Sequence, residues 1–253
     1  MVAKKDAPMR TLPLPLHALL LLLLSLLVVV PPAWAASPIS QTRYEHLSGE
    51  VLLENERVRV EKFEVAPGQS TGRHTHRGDQ LLVIIKGGVL KSNASGRSVL
   101  WQDGRVQWLG SAEPADEGST NTGAAPIELI WVSFKPHSRL PGERAGPPGD
   151  AHLVYPNIPG EDLFENERII VQRFNVAPGQ WEGVHAHRPN MLYIHVKGGQ
   201  WATRTYKEAE HAYPDPSPDG EVGWMQPFDI SEGHESGNIG PHPIDLIWVT
   251  LKH

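Results

Sequence analysis

The sequence predicts an all-β protein made of two tandem barrels of jelly-roll type. Three observations carry that expectation: a long internal repeat, short strand-like runs divided by glycine and proline turns, and no sustained helical period after the N-terminal leader. Residues 53–88 align with residues 164–199 at a constant offset of 111, without a gap, and 19 of the 36 positions are identical. The ends repeat as well: IELIWVSFK from Ile127 to Lys135 matches IDLIWVTLK from Ile244 to Lys252, with Trp108 and Trp224 at equivalent places before them. A period of this length is the size of a small domain rather than of a solenoid unit.

Each copy reads as strands. Val58 and Val60 alternate with Arg57 and Arg59, and Phe63 and Val65 continue with a one-residue phase change of the kind a β-bulge produces. Ala66-Pro67-Gly68-Gln69, and again residues 177–180, form a turn. Leu81 to Ile85 and Ile127 to Phe134 are continuous apolar runs, the first closed by Lys86-Gly87-Gly88. The expected organisation is therefore a leader over residues 1–35, a lead-in over 36–50, a first barrel over 51–136, a Pro/Gly-rich linker over 137–160 and a second barrel over 161–253.

The leader sets the compartment. Lys4, Lys5 and Arg10 precede an apolar run from Leu12 to Val30, and Ala33-Trp34-Ala35 carries the small-x-small pattern of a signal-peptidase site. Cleavage after Ala35 and a periplasmic or secreted product follow; an uncleaved N-terminal anchor is the alternative, since about 20 apolar residues span a bilayer. Losing Lys4, Lys5, Arg10 and Asp6 leaves 20 basic and 28 acidic residues, a net charge of −8. That balance argues against nucleic acid and anionic membrane surfaces as partners, and after cleavage no stable membrane association is expected. The absence of cysteine excludes disulfides, thiolate metal sites and a cysteine nucleophile.

Two His-x-His pairs stand out, His74/His76 and His185/His187. Alternate residues of a strand point to one face, so each pair aims two imidazoles at one point, and neutral imidazole nitrogens are good ligands for divalent transition metals. Along Leu192-Tyr193-Ile194-His195-Val196, residues 191, 193 and 195 share a face, which places Tyr193 and His195 in the second cavity as acid/base candidates. Leu82 and Ile84 stand there in the first copy. Trp201 and Trp224 are candidate apolar walls, and residues 215–220 read either as a lid over the second barrel or as a surface loop.

The chain resembles the cupin superfamily, whose first motif is Gly, five residues, His-x-His, three or four residues, Glu, six residues and Gly. Gly68, His74, His76 and Gly87 fall on it in the first copy, and Gly179, His185, His187 and Gly198 in the second. His234 and Asn238 match the His-x-x-x-Asn element of the second motif. The doubled arrangement is similar to a bicupin. The resemblance implies a metal set of His185, His187 and His234 in the second copy, with Met191 in place of the glutamate and Asp229 and Ser231 where proline and glycine would stand. It implies His74, His76 and Glu117 in the first copy, with Gln80 as a weak oxygen donor where the glutamate would be. Counting back from the Trp131/Trp248 match gives Glu117 that position.

For a three-histidine set the resemblance implies an open divalent metal centre holding Fe, Zn, Mn or Ni, suited to non-haem oxygenase or lyase chemistry on a small organic acid, diketone or sugar-derived molecule. The loss of the glutamate argues against oxalate-oxidase-like manganese chemistry. The rival class is a non-catalytic cupin that binds a small-molecule ligand or serves a structural role. Cupin units associate through their sheets, so the resemblance implies either a homodimer or an internal pseudo-dimer of the two copies.

Overall fold

The structure is a computed structural model and describes Tyr44 and residues 46–76, 78–110, 116–136 and 151–252. The leader, its cleavage site and most of the segment between the copies lie outside the described residues. Among the described residues no helix is long and apolar enough to cross a membrane.

The first copy contributes β1 (Glu50–Glu54), β2 (Val58–Val65), β3 (Gln80–Lys86), β4 (Gly88–Ser92), β5 (Ser98–Trp101), β6 (Val106–Leu109), β7 (Ser119–Asn121) and β8 (Ile127–Phe134). The second contributes β9 (Glu161–Glu165), β10 (Ile169–Val176), β11 (Met191–Lys197), β12 (Trp201–Arg204), β13 (His211–Ala212), β14 (Val222–Met225), β15 (Glu235–Asn238) and β16 (Ile244–Leu251). Each copy builds a five-stranded antiparallel sheet, in the orders β1-β2-β8-β3-β6 and β9-β10-β16-β11-β14, and a three-stranded one, β5-β4-β7 and β13-β12-β15. The repeat in sequence is thus a repeat in topology, and the all-β double barrel expected from it is present.

The two large sheets explain why their strands read as continuous apolar runs. Leu81, Val83 and Ile85 of β3 face one way, into a core they share with Leu192, Ile194 and Val196 of β11 and with Ile247 and Val249 of β16. Leu82 and Ile84 face the other way, into the first barrel, with Phe63, Leu129 and Trp131. Sheets covered on both faces lose the polar alternation of a half-exposed strand. The central core joins residues of both copies, so the chain carries its pseudo-dimer interface within itself. Trp108 stacks on Phe164 across the same seam at 5.6 Å, Lys197 pairs with Asp103 at 3.3 Å, and Arg168 pairs with Asp79.

This two-faced arrangement corrects the bulge expected in β2. Its ladder with β8 runs without a break from Val58↔Phe134 to Val65↔Ile127. The phase change arises because Val58 and Val60 feed the shared core whereas Phe63 and Val65 feed the barrel interior. The register shift falls instead on the β1–β2 pair, between Val51 and Leu53.

Residues 151–160 are not a bare linker. Leu153, Tyr155 and Ile158 are buried in the interior of the second barrel with Phe174, Trp201 and Trp248. Tyr44 and Leu47 occupy the corresponding place against the first. The 215–220 segment is not a lid: Gly220 N–H bonds His195 O at 2.7 Å and Gly198 N–H bonds Asp219 Oδ1 at 2.9 Å, which pins it to β11. A Cβ on Gly220 would meet Ile85 and Lys62 of the first copy.

Candidate metal centre

Three histidines converge in the second barrel. The loop after the Ala177-Pro178-Gly179-Gln180 turn runs back along the barrel, with Glu182 N–H bonded to Ser236 O and His185 N–H to His234 O. Gly183 sits at φ 83, a left-handed conformation open to glycine, and its carbonyl accepts from His185 Nδ1 at 2.8 Å. A carbonyl only accepts, so Nδ1 carries the proton and His185 Nε2 keeps its lone pair. His187 is fixed by a backbone bridge to Phe228.

The third ligand arrives on a capped turn. Asp229 caps a 3-10 turn over Ile230–Glu232 with a reciprocal capping box, and Gly233 ends it at φ 70. The residues that depart from the second cupin motif therefore make a different turn that still delivers His234. Its ring stacks on Phe228 with centroids 4.5 Å apart. The motif's asparagine is structural: Asn238 Nδ2 donates to Val176 O and His242 O, as Asn121 Nδ2 does to Val65 O and Ala125 O.

Donor atoms of His185, His187 and His234 all lie within 4.8 Å of one another, and the residues are 2%, 4% and 6% exposed. His185 Nε2 and His187 Nε2 are 2.8 Å apart. Since His185 Nε2 accepts, His187 Nε2 donates in this state, and His187 Nδ1 is left buried without a partner, as is His234 Nε2. Burial lowers His185 from its ordinary value to about 4 and His187 to about 2, and lowers His234 as well. Three neutral imidazoles with converging donor atoms, His234 Nε2 orphaned among them, are the chemistry of an N-donor set for a divalent ion, and these residues fit such a group.

The set has a neighbour that the sequence reading passed over. Glu182 is 2% exposed, and its Oε2 lies 3.8 Å from His185 Nε2. Desolvation raises its carboxyl to about 8, against hydrogen bonds from Tyr155 and Ser236 that favour the ionised form. Tyr155 also accepts from Trp248 Nε1 at 2.8 Å and packs on His185 at 4.6 Å. Tyr44 repeats this in the first barrel, bonding Trp131 Nε1 at 2.5 Å and packing on His74 at 4.5 Å. The signal was present: Tyr44 and Tyr155 share the offset of 111, as do Gly49 and Gly160, so the repeat begins earlier than residue 53.

In the first barrel the cluster is His74, His76 and Asp116, not Glu117. Glu117 turns outward to Arg73 at 3.4 Å. One more residue separates Asp116 from Ser119 than separates His234 from Ser236, while Thr71 and Glu182 bond Ser119 and Ser236 alike. Gly118, at φ 85, takes up the extra residue. Asp116 therefore bridges to His74, with its Oδ2 4.0 Å from Nε2. Gln80 sits behind the pair: its Oε1 accepts from His76 Nδ1 at 3.3 Å and its Nε2 donates to Ser133 at 2.9 Å. It orients the imidazole and leaves Nε2 as the donor atom. Met191 makes no such bond in the second barrel, which accounts for the orphaned His187 Nδ1 and Thr250 Oγ1.

His195 is committed elsewhere. Trp201 Nε1 donates to its Nε2 at 3.1 Å, so Nδ1 holds the proton and faces Glu221 at 3.3 Å. That hydrogen bond holds the Glu221 carboxyl below its ordinary range. Tyr193 packs on His195 and Trp248, and burial raises its phenol. A Cβ on Gly223 would lie 2.3 Å from the Tyr193 hydroxyl, so glycine is required opposite it. Trp201 is part of the barrel interior, whereas Trp224 packs on the shared core away from the histidines.

No protein-family model matches the chain, and no curated protein sequence does. Solved structures do. AerE from Microcystis aeruginosa superposes with a TM-score of 0.50 at 13% identity, over 85% of this chain and 97% of that one. A Cupin 2 conserved barrel domain protein from Leptotrichia buccalis gives 0.48 at 9% identity, over 84% and 92%. Oxalate decarboxylase from Bacillus subtilis gives 0.49 at 16% identity, over 83% and 74%. At these identities the likeness to AerE shows the fold alone.

Proposed function

We propose that this protein is an exported bicupin whose second barrel holds one divalent transition-metal ion through His185, His187 and His234 and presents it to a small-molecule ligand or substrate. The observation that carries the reading is the convergence of three buried imidazoles, with His234 Nε2 left without a partner. Buried polar atoms are almost always paired, and unpaired ones cost about 1–3 kcal/mol each. A bound ion would take the Nε2 lone pairs of all three rings; it would supply Lewis acidity towards an oxygen-bearing ligand.

The chain's own residues supply the frame. Gly183 fixes the His185 tautomer, the Phe228 bridge and stack position His187 and His234, and the Trp201–His195–Glu221 chain stiffens the β11 side of the barrel. With both nitrogens engaged, His195 acts as an orienting group rather than as the free acid/base, and Tyr193 is the remaining hydroxyl on that face. The leader of residues 1–35 supports export to the periplasm or medium. The buried three-histidine set favours metal-dependent oxygenase or lyase chemistry over a purely structural role.

The test is metal analysis of the tag-free full chain. We expect a near-stoichiometric divalent ion that falls sharply in His187→Ala and in His234→Ala. Substoichiometric metal that neither substitution changes would remove the reading.

A further inference from the structure

The turn that delivers His234 is held from outside by the hairpin loop that follows β12. Tyr206 N–H bonds Glu232 O at 3.1 Å. The Tyr206 ring covers Gly233, where a Cβ would stand 2.2 to 2.4 Å from three ring carbons. Arg204 and Glu235 are register partners in the β12–β15 ladder, and Arg204 Nε donates to Glu235 Oε1 at 2.7 Å. The same guanidinium sits 4.1 Å from the Trp181 ring. Residues 232, 233 and 235, the neighbours of His234 on either side, are thus each tied to β12 or its loop. The loop is itself braced, since Thr205 Oγ1 accepts from Lys207 N–H at 3.2 Å and from Glu208 N–H at 3.0 Å.

Gly233 is the reason such a brace matters. Its φ of 70 is left-handed, and the ring contact leaves no room for any side chain, so glycine is required on both counts. A ligand that follows a glycine and a single 3-10 turn starts with more backbone freedom than one fixed in a strand. Tyr206 is 71% exposed, so its ring buries little area and adds little to the stability of the fold. What the ring does is restrict the residue before His234. In the first copy Ser95 falls at the Tyr206 position by the offset of 111. The bonds described from that hairpin to the segment of Asp116 fall after it, from Asn93 to Glu117 O and Gly118 O. The ring belongs to the copy that carries three histidines.

We propose that Tyr206 is a positioning residue for the second-barrel ion: its ring, seated on Gly233, locks the turn so that His234 meets the ion without rearrangement and the metal leaves slowly. This rests on the metal reading above. A ligand held in place before binding gives up less freedom when it binds. Groups that orient a metal ligand without touching the ion change affinity by about 10- to 100-fold when removed.

The experiment loads the full chain with Zn²⁺ or Co²⁺ in a His74→Ala background, which confines the signal to the second barrel. Release of Zn²⁺ to a chromophoric chelator gives the rate, and the Co²⁺ absorption spectrum reports the ligand set. We expect Tyr206→Ala to release Zn²⁺ at least about tenfold faster and to shift the Co²⁺ spectrum towards that of His234→Ala. Tyr206→Phe keeps the ring and should behave as wild type. Metal-free Tyr206→Ala should unfold within about 2 °C of wild type. Wild-type release and spectrum in Tyr206→Ala, with the ion lost in His234→Ala, would overturn the positioning role and leave the metal reading standing. A metal-free Tyr206→Ala chain that unfolds well below wild type would overturn it too, because the ring would then serve the fold. Zn²⁺ retained unchanged in both His187→Ala and His234→Ala would overturn the metal reading and the positioning role together.

Discussion

Replacing His234 by leucine separates a metal ligand from a structural histidine. In the metal-free protein His234 Nε2 is buried with no partner, which costs about 1–3 kcal/mol. Its ring also stacks on Phe228 at 4.5 Å, a contact worth about 0.5–1.5 kcal/mol. Leucine removes both terms and fills a similar volume. Metal-free His234→Leu should therefore be as stable as wild type, or more stable by up to about 2 kcal/mol. With metal at 100 times its dissociation constant the order reverses: wild type gains about 2.7 kcal/mol and the variant gains almost none. Urea unfolding at pH 7, in chelator and in excess Zn²⁺, reads both halves. A metal-free variant less stable than wild type by more than about 1 kcal/mol would refute the reasoning, because His234 would then be contributing stability without an ion.

The same physics makes further predictions. Ile194→Ala, at a fully buried position of the core shared by both copies, should cost about 2–5 kcal/mol; both barrels should still unfold in one transition, and two separated transitions would contradict a common core. In the metal-free protein the centre makes stability pH-dependent in two opposed ways. The depressed histidines lose stability as pH falls from their ordinary value of 6.5 towards about 4 for His185 and about 2 for His187, and each contributes a slope of up to about 1.4 kcal/mol per pH unit. The raised Glu182 carboxyl contributes in the other direction, losing stability as pH rises from 4.5 towards about 8. The centre's contribution should therefore peak near neutrality, and Glu182→Gln should flatten the loss above it; parallel wild-type and variant profiles between pH 5 and 8 would contradict this. In the first barrel, Asp116→Asn should weaken any Mn²⁺ bound by His74 and His76, whereas Glu117→Gln should leave it unchanged; isothermal titration in a His187→Ala background measures it.

Much of the architecture was legible because duplication prints the same strand pattern twice. The alternation within β3 and β11 was legible only as hydrophobicity: a strand buried on both faces does not announce which core each residue enters. For the same reason the phase change in β2 resembled a bulge. The pairs His74/His76 and His185/His187 were legible from spacing, although they lie in the segments between β2 and β3 and between β10 and β11, where isolated bridges at His74 and His187 replace the expected strand. Glu117 was misplaced because ungapped counting has no means of seeing Gly118 absorb a residue. Glu182 escaped because a lone acid in a glycine-rich loop reads as solvated; only the fold of that loop against Ser236 buries it. Tyr155 escaped because its segment looked like linker, although its tie to Trp248 spans the barrel.

Anomalous diffraction from crystals grown with Mn²⁺ or Zn²⁺ tests the central claim most directly. The account predicts one strong peak in the second barrel, about 2.0–2.2 Å from the Nε2 atoms of His185, His187 and His234. Crystals that hold no ion there, with His185 and His187 still hydrogen-bonded to each other through Nε2, would contradict it.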